Sequence, residues 1–242
     1  MDIKVKGLVL YSKDMGENDK FVTVLTSDCG KISFKARGVK KANSKLKAYV
    51  QSFCFCNFEL NEKKGVYTLT GAQSIESFFA LTTDFDKYNI ACVVLEVLDK
   101  VCVAGQTYAQ TFVDALRTLE VLCYEEIESK LVLCKFLLQV LEREGFAFDM
   151  NYCSNCKKPL SDGKVYFSFV DSGLVCSNCK QIGNVEVLPA TLTSLKIVSG
   201  CDFQGLKTVK LKDFMISNML KLLVAYFGNV FETKLKTMTL VE

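Results

Sequence analysis

The sequence predicts an α+β protein with more than one domain: a small N-terminal β-barrel, followed by an all-α domain that carries an inserted cysteine module. Three observations predict it. Apolar and polar residues alternate in short runs up to about residue 80, apolar residues recur every three to four positions after residue 83, and two Cys-x-x-Cys pairs interrupt the later part. The first period is that of strands and the second that of helices.

Five runs of β-forming residues fill the first 80 positions. They cover residues 3–11, 21–26, 31–37, 49–60 and 66–70, and polar turns at 14–19 and 28–30 separate the first three. Five short strands at fairly regular intervals suit a small closed barrel, and the OB-fold is the commonest five-stranded one. We therefore predict an OB-fold domain over residues 1–80.

The remainder, residues 81–242, predicts a helical domain. Apolar stripes with helical spacing cover residues 84–103, 107–124, 126–144, 189–198 and 212–227. Gly145 and Gly228 are placed to end the third and fifth of these helices, and Pro189 suits the first turn of the fourth. The segment at about 150–182, between the third and fourth helices, is the predicted inserted module.

Four cysteines of this module have the spacing of a metal site. Cys153 and Cys156 form one pair and Cys176 and Cys179 the other, with nineteen residues between the pairs. Two such pairs close a tetrahedral coordination sphere and leave no position for water, so the site is structural rather than catalytic. A redox pair would be expected beside a βαβ unit, and disulfides are improbable in a cytosolic chain. We predict one structural Zn²⁺ per chain.

Composition predicts a folded cytoplasmic protein. The chain has 242 residues, of which 50% are hydrophobic and 24% charged. The first residues carry alternating charges, so we expect no signal peptide, and the most apolar stretch, 91–104, is too short and too charged to span a bilayer. The eight cysteines outside the two pairs lie mostly in apolar runs, and we expect them to be reduced and in or near the core.

The sequence offers no support for an enzyme. It contains no histidine, which removes the usual general base. It also contains no phosphate-binding loop, no dinucleotide-binding glycine motif and no nucleophile elbow. We therefore expect a protein without catalytic residues.

One segment of the barrel is strongly basic, although the formal net charge of the chain is only +3. The segment from residue 31 to residue 47 contains no acidic residue and seven basic ones: Lys31, Lys35, Arg37, Lys40, Lys41, Lys45 and Lys47. Strand alternation places Lys31, Lys35 and Arg37 on one face. Such a ridge can bind a phosphate backbone, and lysine favours backbone contact over base reading. A solvated sheet face remains the alternative, and the adjacent Tyr49 and Phe53 are either core residues or a platform for stacked bases.

The ordered motifs of the chain resemble those of the RecO family. The resemblance covers most of the length. Its motifs are Gly7-Leu8-Val9-Leu10, Gly16-Glu17-Asn18-Asp19-Lys20, Leu25-Thr26, Gly30-Lys31, Lys35-Ala36-Arg37-Gly38-Val39-Lys40-Lys41, Ser44-Lys45-Leu46 and Tyr67-Thr68-Leu69-Thr70. The four cysteines also sit where many members carry a zinc site. The end of the chain departs from the family pattern, because only Lys234 and Lys236 remain of its usual basic stretch.

The resemblance implies a non-enzymatic, nucleoid-associated DNA repair and recombination mediator. Such proteins bind single- and double-stranded DNA, anneal complementary strands, and act with RecR to help load the recombinase on protein-coated single strands. The tail of the single-strand-binding protein is a further implied partner, with the helical domain as its docking place. Lys35, Arg37, Lys40, Lys41 and Lys45 would contact DNA, and the four cysteines would hold zinc.

Three other functions stay open on the sequence. The first is a zinc-stapled adaptor that assembles proteins, in which the basic ridge meets an acidic protein. The second is an RNA-binding OB protein, which would use the 2′-hydroxyl. The third is a nuclease, although the sequence shows no carboxylate cluster for the metal ions that such an enzyme needs.

Overall fold

The computed structural model describes residues 2–160 and 163–241, so residues 161 and 162 of the predicted module lie outside it. The chain forms two compact units. The first contains the residues up to Cys123 together with those from Lys236 onward, and the second is Tyr124–Leu235. Among the described residues, no helix is long and apolar enough to cross a membrane.

The first unit contains the predicted five-stranded closed barrel. Its strands are β1 (Asp2–Met15), β2 (Asp19–Thr26), β3 (Gly30–Ala36), β4 (Cys54–Lys63) and β5 (Val66–Ser77). They pair in the order β1-β2-β3-β5-β4, with β4 closing on β1 and only β3 and β5 parallel. Val9, Val24, Phe34, Phe58 and Leu60 fill the interior and are fully buried. This order and this filled interior match the predicted OB-type barrel.

The fourth and fifth strands differ from their predicted bounds. The run that begins at Tyr49 first makes a 3₁₀ turn over Ala48–Val50, and Phe53 then adopts a φ of 71° before β4 begins. A residue with left-handed φ cannot continue a strand. The fifth strand extends past the predicted Thr70, because β4 pairs with it as far as Ser77.

Two helices of the first unit pack beside the barrel. They are α1 (Phe85–Val101) and α2 (Ala109–Tyr124). The ring of Phe55 on β4 meets that of Phe112 on α2 edge-on, with centroids 5.7 Å apart. The loop between the helices is hydrogen-bonded to the β2–β3 turn: Lys31 N donates to Val103 O at 3.2 Å and Gly105 N to Cys29 O at 2.9 Å.

The residues from Lys236 onward belong to this unit and donate hydrogen bonds to a carboxylate of α1. Glu96 of α1 accepts hydrogen bonds from the backbone N–H groups of Lys236, at 2.9 Å, and Thr237, at 2.8 Å. Asn89 also donates to the carbonyl of Leu240 at 3.0 Å. The segment is therefore held by hydrogen bonds to one face of α1.

The second unit joins helices to a small sheet. The helices are α3 (Ser129–Arg143), α4 (Pro189–Gly200), α5 (Phe203–Leu206) and α6 (Asp213–Val230). The strands are β6 (Val165–Ser168), β7 (Gly173–Cys176) and β8 (Val185–Val187), in the antiparallel order β7-β6-β8. The ring of Phe167 on β6 packs 4.9 Å from that of Tyr226 on α6. The predicted insertion between two helices is thus observed.

Helix ends show which signals were reliable. Gly145 has a φ of +82° just beyond α3, as a C-terminal cap requires. Gly228 was predicted to end the last helix, and this is wrong: α6 runs on to Val230. Its glycine serves a close approach instead, because a Cβ there would lie 2.9 Å from the carbonyl oxygen of Thr233. The compact units divide the chain after Cys123 and after Leu235. This division does not test the predicted domain boundary after residue 80, which stays a prediction.

Candidate nucleic-acid interface and metal centre

The basic strand has the predicted alternation. On β3, Phe34 and Ala36 are fully buried in the barrel, whereas Lys31, Ser33 and Lys35 are only partly covered. Ser33 shares a hydrogen bond of 2.9 Å with Thr23 on β2. One face of the strand therefore anchors it in the core, and the other carries polar and basic groups outward.

The loop after β3 is held in a defined shape. Asp19 accepts a hydrogen bond from Gly38 N at 2.8 Å, and Lys40 N donates to Asn18 O at 3.0 Å. Val39 and Val50 insert into the barrel core. The side chains of Lys41, Lys45 and Lys47, between Val39 and Val50, are exposed, as is that of Arg37, which precedes Gly38. The loop thus presents its bases from a fixed backbone.

Two of the seven bases are paired with acids. Lys31 Nζ lies 2.9 Å from Asp99 Oδ1 and donates to the Asp99 carbonyl at 2.6 Å. Lys40 Nζ lies 2.6 Å from Asp14 Oδ2, and this hydrogen bond lowers the pKa of Asp14. The other five have no ion pair with any described residue; they are Lys35, Arg37, Lys41, Lys45 and Lys47. We call these five the basic arc.

The two aromatic side chains singled out in the sequence have different positions. Phe53 is 4% exposed and meets the ring of Tyr88 edge-on at 5.7 Å. It is a core residue, so a stacking role for it is wrong. Tyr49 is half-buried against the barrel core, and neither of its alternative roles is decided by that position.

Two other aromatic residues, which the sequence analysis did not single out, lie beside basic side chains of the barrel. Phe21 on β2 is 36% exposed and stands directly opposite Lys35 on β3 and Lys13 on β1. The Lys13 ammonium lies 5.2 Å from the ring centre of Tyr11. Pairing β2 with β3 across the Asp28-Cys29-Gly30 turn would have placed Phe21 beside Lys35, so the hairpin register was the available signal.

A groove opens on the same barrel. It has a volume of about 630 Å³, and its lining includes Tyr11, Thr23, Lys31, Ser33 and Tyr67. Tyrosine rings and hydroxyl groups therefore line it together with one lysine. OB-fold proteins bind single-stranded nucleic acids through aromatic rings that lie beside lysine and arginine side chains.

The four cysteines of the second unit meet at one point. The sulfur atoms of Cys153, Cys156, Cys176 and Cys179 all lie within 4.8 Å of one another, and the Cys156 and Cys176 sulfurs are 3.8 Å apart. A tetrahedral ion with metal–sulfur bonds of about 2.3 Å sets sulfurs about 3.8 Å apart. The cluster could therefore hold a metal ion.

The surroundings of two of these sulfurs shift their thiol pKa values in opposite directions. Burial raises the pKa of the Cys153 thiol, but N–H groups of Cys156, Cys176 and Asn155 point at its sulfur and lower the pKa to about 6. The hydrogen bond with Cys156, together with burial, raises the pKa of Cys179 to about 12. Four sulfurs this close cannot all be thiolates unless a cation balances them. The donor set thus fits a metal such as zinc.

The eight other cysteines only partly follow the expected burial. Cys54, Cys56, Cys102 and Cys134 are buried, and Cys92, Cys123 and Cys201 are partly covered. Cys29 is exposed, because it lies in the turn between β2 and β3 rather than in a strand. The expectation of a core position is therefore wrong for this residue.

A small pocket of the second unit contains a buried lysine. Lys135 on α3 is 8% exposed, and its ammonium donates to the Ser199 carbonyl at 3.3 Å. The pocket has a volume of about 160 Å³ and is also lined by Gln139, Phe148 and Met150. Gln139 Oε1 is buried without a hydrogen-bond partner among the described residues. Glu142 also lines this pocket, but the Lys135 ammonium forms no ion pair with a described residue.

Comparison with known proteins assigns the family. Residues 1–78 match the family described as Recombination protein O N terminal, and residues 82–239 match Recombination protein O C terminal. The chain is 29% identical to the DNA repair protein RecO of Clostridium acetobutylicum over 99% of this chain and 96% of that protein. It is 31% identical to that of Bacillus pumilus, over 88% and 82%, and 29% identical to that of Bacillus subtilis, over 93% and 88%. The chain belongs to the RecO family of DNA repair proteins.

Proposed function

We propose that the chain is a non-enzymatic recombination mediator in the cytoplasm, associated with the nucleoid. It binds single- and double-stranded DNA, promotes annealing of complementary strands, and helps load the recombinase with RecR on protein-coated single strands. The observation that carries this proposal is the basic arc: five bases without acidic partners among the described residues, held on a barrel of OB type.

Electrostatics gives the mechanism. Lysines and arginines that neutralise phosphates release condensed counterions, which drives binding at low salt. The same neutralisation lowers the repulsion between two strands, and base pairing then supplies the free energy of annealing. No catalytic residue is needed for this step.

Single strands gain a second contribution from the barrel face. Phe21 lies between Lys13 and Lys35. A DNA single strand whose phosphates contact these lysines can therefore stack a nucleobase on the Phe21 ring. Such stacking contributes about 1–3 kcal/mol per base and does not depend on sequence. Duplex DNA keeps its bases paired and would use the basic residues alone, so we expect tighter binding of single strands.

Zinc would have a structural role in this protein. The four cysteines would hold one Zn²⁺ per chain and leave no coordination position for water. The ion would fix the two Cys-x-x-Cys turns against β6 and β7. The fit of the sulfur positions to a tetrahedral ion supports this assignment.

A protein tail would dock on the helical unit. The pocket around Lys135 offers a buried ammonium beside the apolar side chains of Phe148 and Met150. The ammonium could pair with the terminal carboxylate of a protein tail, and we propose the tail of the single-strand-binding protein as the occupant. Lys135→Gln should weaken binding of that tail peptide and leave DNA binding unchanged.

The test is a salt series of DNA binding. The change Lys35→Glu, Arg37→Glu and Lys41→Glu gives a barrel variant; Lys196→Glu, Lys210→Glu and Lys212→Glu, at exposed sites on the second unit, give a charge-matched control. Fluorescence anisotropy of a labelled single strand should show weaker binding for the barrel variant only. The slope of log K against log salt should fall by about 2, since each single-strand contact contributes about 0.7.

The same titration separates the competing functions. Equal binding by wild type and barrel variant would contradict the assignment of the arc. Stronger binding of RNA than of DNA of equal length would favour the RNA-binding alternative. Binding of an acidic peptide in preference to DNA would favour the adaptor.

A further inference from the structure

The metal end of the second unit carries a second group of free bases. Its two Cys-x-x-Cys turns, residues 150–160 and 172–184, contain Lys157, Lys158 and Lys180 but no acid. All three side chains are exposed, and none forms an ion pair with a described residue. By contrast, Lys164 of the same module is paired with Glu186 at 3.1 Å. We call the three unpaired residues the knuckle lysines.

The fold places each knuckle lysine one or two residues from a cysteine of the same cluster. Lys157 follows Cys156 and Lys180 follows Cys179, and the two cysteine sulfurs lie within 4.8 Å of each other. Each of these two lysines is therefore one residue away from a sulfur of the same cluster. The Lys180 ammonium is positioned 4.4 Å from the ring centre of Tyr166, and Tyr152, one residue before Cys153, is 49% exposed. Bases and an exposed ring thus share this end of the module.

Backbone conformation gives an independent reason to assign a role to Lys157. Its φ is +59°, the left-handed region. Glycine or asparagine occupies that region readily, whereas another L-residue is disfavoured by about 1–2 kcal/mol. Residues held in this region occur at functional sites, and we take the conformation as support for a role of this side chain, although Lys64 and Glu232 share it.

A bland alternative is that these lysines only balance the charge of the thiolates. Two observations argue against it. The sulfur of Cys153 already accepts hydrogen bonds from the backbone N–H groups of Asn155, Cys156 and Cys176. These hydrogen bonds stabilise its negative charge. In addition, no knuckle lysine makes a hydrogen bond to a sulfur within the described ranges. The side chains of Lys157 and Lys158 are exposed, and the Lys180 ammonium contacts the Tyr166 ring rather than a sulfur.

We propose that the knuckle lysines are a second phosphate-binding surface, which holds the second single strand while the barrel holds the first. This inference rests on the annealing function proposed above. Its ligand class is the phosphodiester backbone of single-stranded nucleic acid. The metal would then serve DNA binding as well as folding, because it fixes the turns from which these lysines project.

The test uses the full chain loaded with zinc and two complementary labelled oligonucleotides. The knuckle variant carries Lys157→Glu, Lys158→Glu and Lys180→Glu; the barrel variant and the control at Lys196, Lys210 and Lys212 are those described above. We expect the knuckle variant to bind one strand within about threefold of wild type and to anneal two strands about tenfold more slowly. The control should anneal as wild type, although its charge change is the same.

The outcomes distinguish this inference from the function on which it rests. Annealing by the knuckle variant at the wild-type rate would overturn the second surface and leave the barrel assignment intact. Normal strand binding by the barrel variant would overturn the proposed function instead. Zinc content and thermal melting check that each variant is folded. If the glutamates displace zinc, glutamine at the same three positions removes only the charge, and annealing must still slow for the inference to stand.

Discussion

Two lysines on the same strand face show how environment decides the use of a charge. Lys31 and Lys35 are both on β3 and both were predicted to contact DNA. Lys31 is bound to Asp99 through an ion pair and a backbone carbonyl, so its charge is already satisfied within the protein. Lys35 has no acidic partner among the described residues and stands opposite Phe21. The DNA contacts of both stay predictions, but we expect them to differ in strength.

Neutralising each lysine in turn tests this difference. Lys31→Gln should lower the free energy of unfolding by about 1 kcal/mol, because a half-buried charged hydrogen bond is lost. It should change DNA affinity little. Lys35→Gln should leave stability unchanged and weaken DNA binding. Urea unfolding and anisotropy measure the two effects, and Asp99→Asn is the control that should reproduce the stability loss of Lys31→Gln. A large loss of DNA affinity in Lys31→Gln would contradict the structural role.

The residue scale also shows where sequence reasoning stops. Alternation correctly separated Phe34 and Ala36 from the outward lysines, because a strand has a fixed period. It could not separate Lys31 from Lys35, because Asp99 lies 68 positions away from Lys31. Likewise, Phe53 fits a strand by its residue type, but its φ is left-handed and its ring is covered in part by Tyr88 of α1. The local sequence pattern predicts which face of a strand a side chain lies on. The function of that side chain depends on partners from distant segments of the chain.

At the scale of elements, the β2–β3 turn is fixed by the loop that joins α1 to α2. Gly30 has a φ of +63°, and a Cβ at this position would collide with the carbonyl oxygen of Val103. Both conformation and close approach therefore require glycine. This turn sets the register of the hairpin that carries Phe21 and Lys35, so its packing matters for the proposed interface.

Gly30→Ala should be strongly destabilising, by about 3 kcal/mol or more, because the loop must move away. Gly65→Ala is the matched control: its φ is +75°, but nothing lies within 4 Å of an added Cβ. Only the conformational cost of about 1–2 kcal/mol applies there. Denaturant unfolding of the two variants compares them, and equal losses would show that the close approach at Gly30 is unimportant.

The C-terminal segment is held by an element contact that depends on pH. Burial raises the pKa of Glu96, but hydrogen bonds from Thr237 and the Lys236 backbone outweigh it and lower the pKa below 4.5. A carboxylate whose pKa is lower in the folded state stabilises it above the unfolded pKa and loses this effect as the pH falls through the folded value. The contact should therefore be intact at neutral pH and weaken below about pH 4.5.

Hydrogen exchange can follow this contact directly. The amides of Lys236 and Thr237 should be protected at neutral pH and lose protection as the solution is acidified below the pKa of Glu96. In Glu96→Ala both amides should exchange at the rate of unprotected amides at every pH, since their acceptor is gone. Protection of the barrel strands should persist in the same samples. Amides that stay protected in Glu96→Ala would show that other contacts hold the segment.

At the scale of the whole molecule, the sequence predicted the order of barrel, helices and cysteine module but not the grouping into units. Hydrophobic period predicts the elements, and the cysteine spacing predicts the cluster that could hold a metal ion, because both patterns are local in the chain. The first compact unit instead combines the barrel, α1, α2 and the last residues from Lys236 onward. That grouping depends on contacts such as Glu96 with Thr237, which are 141 positions apart and have no sequence period.

Two compact units, of which one contains the cluster of four cysteines, should respond differently to metal removal. A strong zinc chelator, or Cys153→Ser with Cys176→Ser, should unfold the sheet β6–β8 and destabilise the helices packed on it, since a structural zinc site contributes directly to folding. The barrel should keep its stability, because its core contains none of the four cysteines. Hydrogen exchange read peptide by peptide would show lost protection in Tyr124–Leu235 and retained protection in the barrel. Cys123→Ser, outside the cluster and partly covered, is the matched control that should leave both units protected. Unchanged protection of β6 and β7 after complete zinc removal would show that the cluster does not stabilise the second unit.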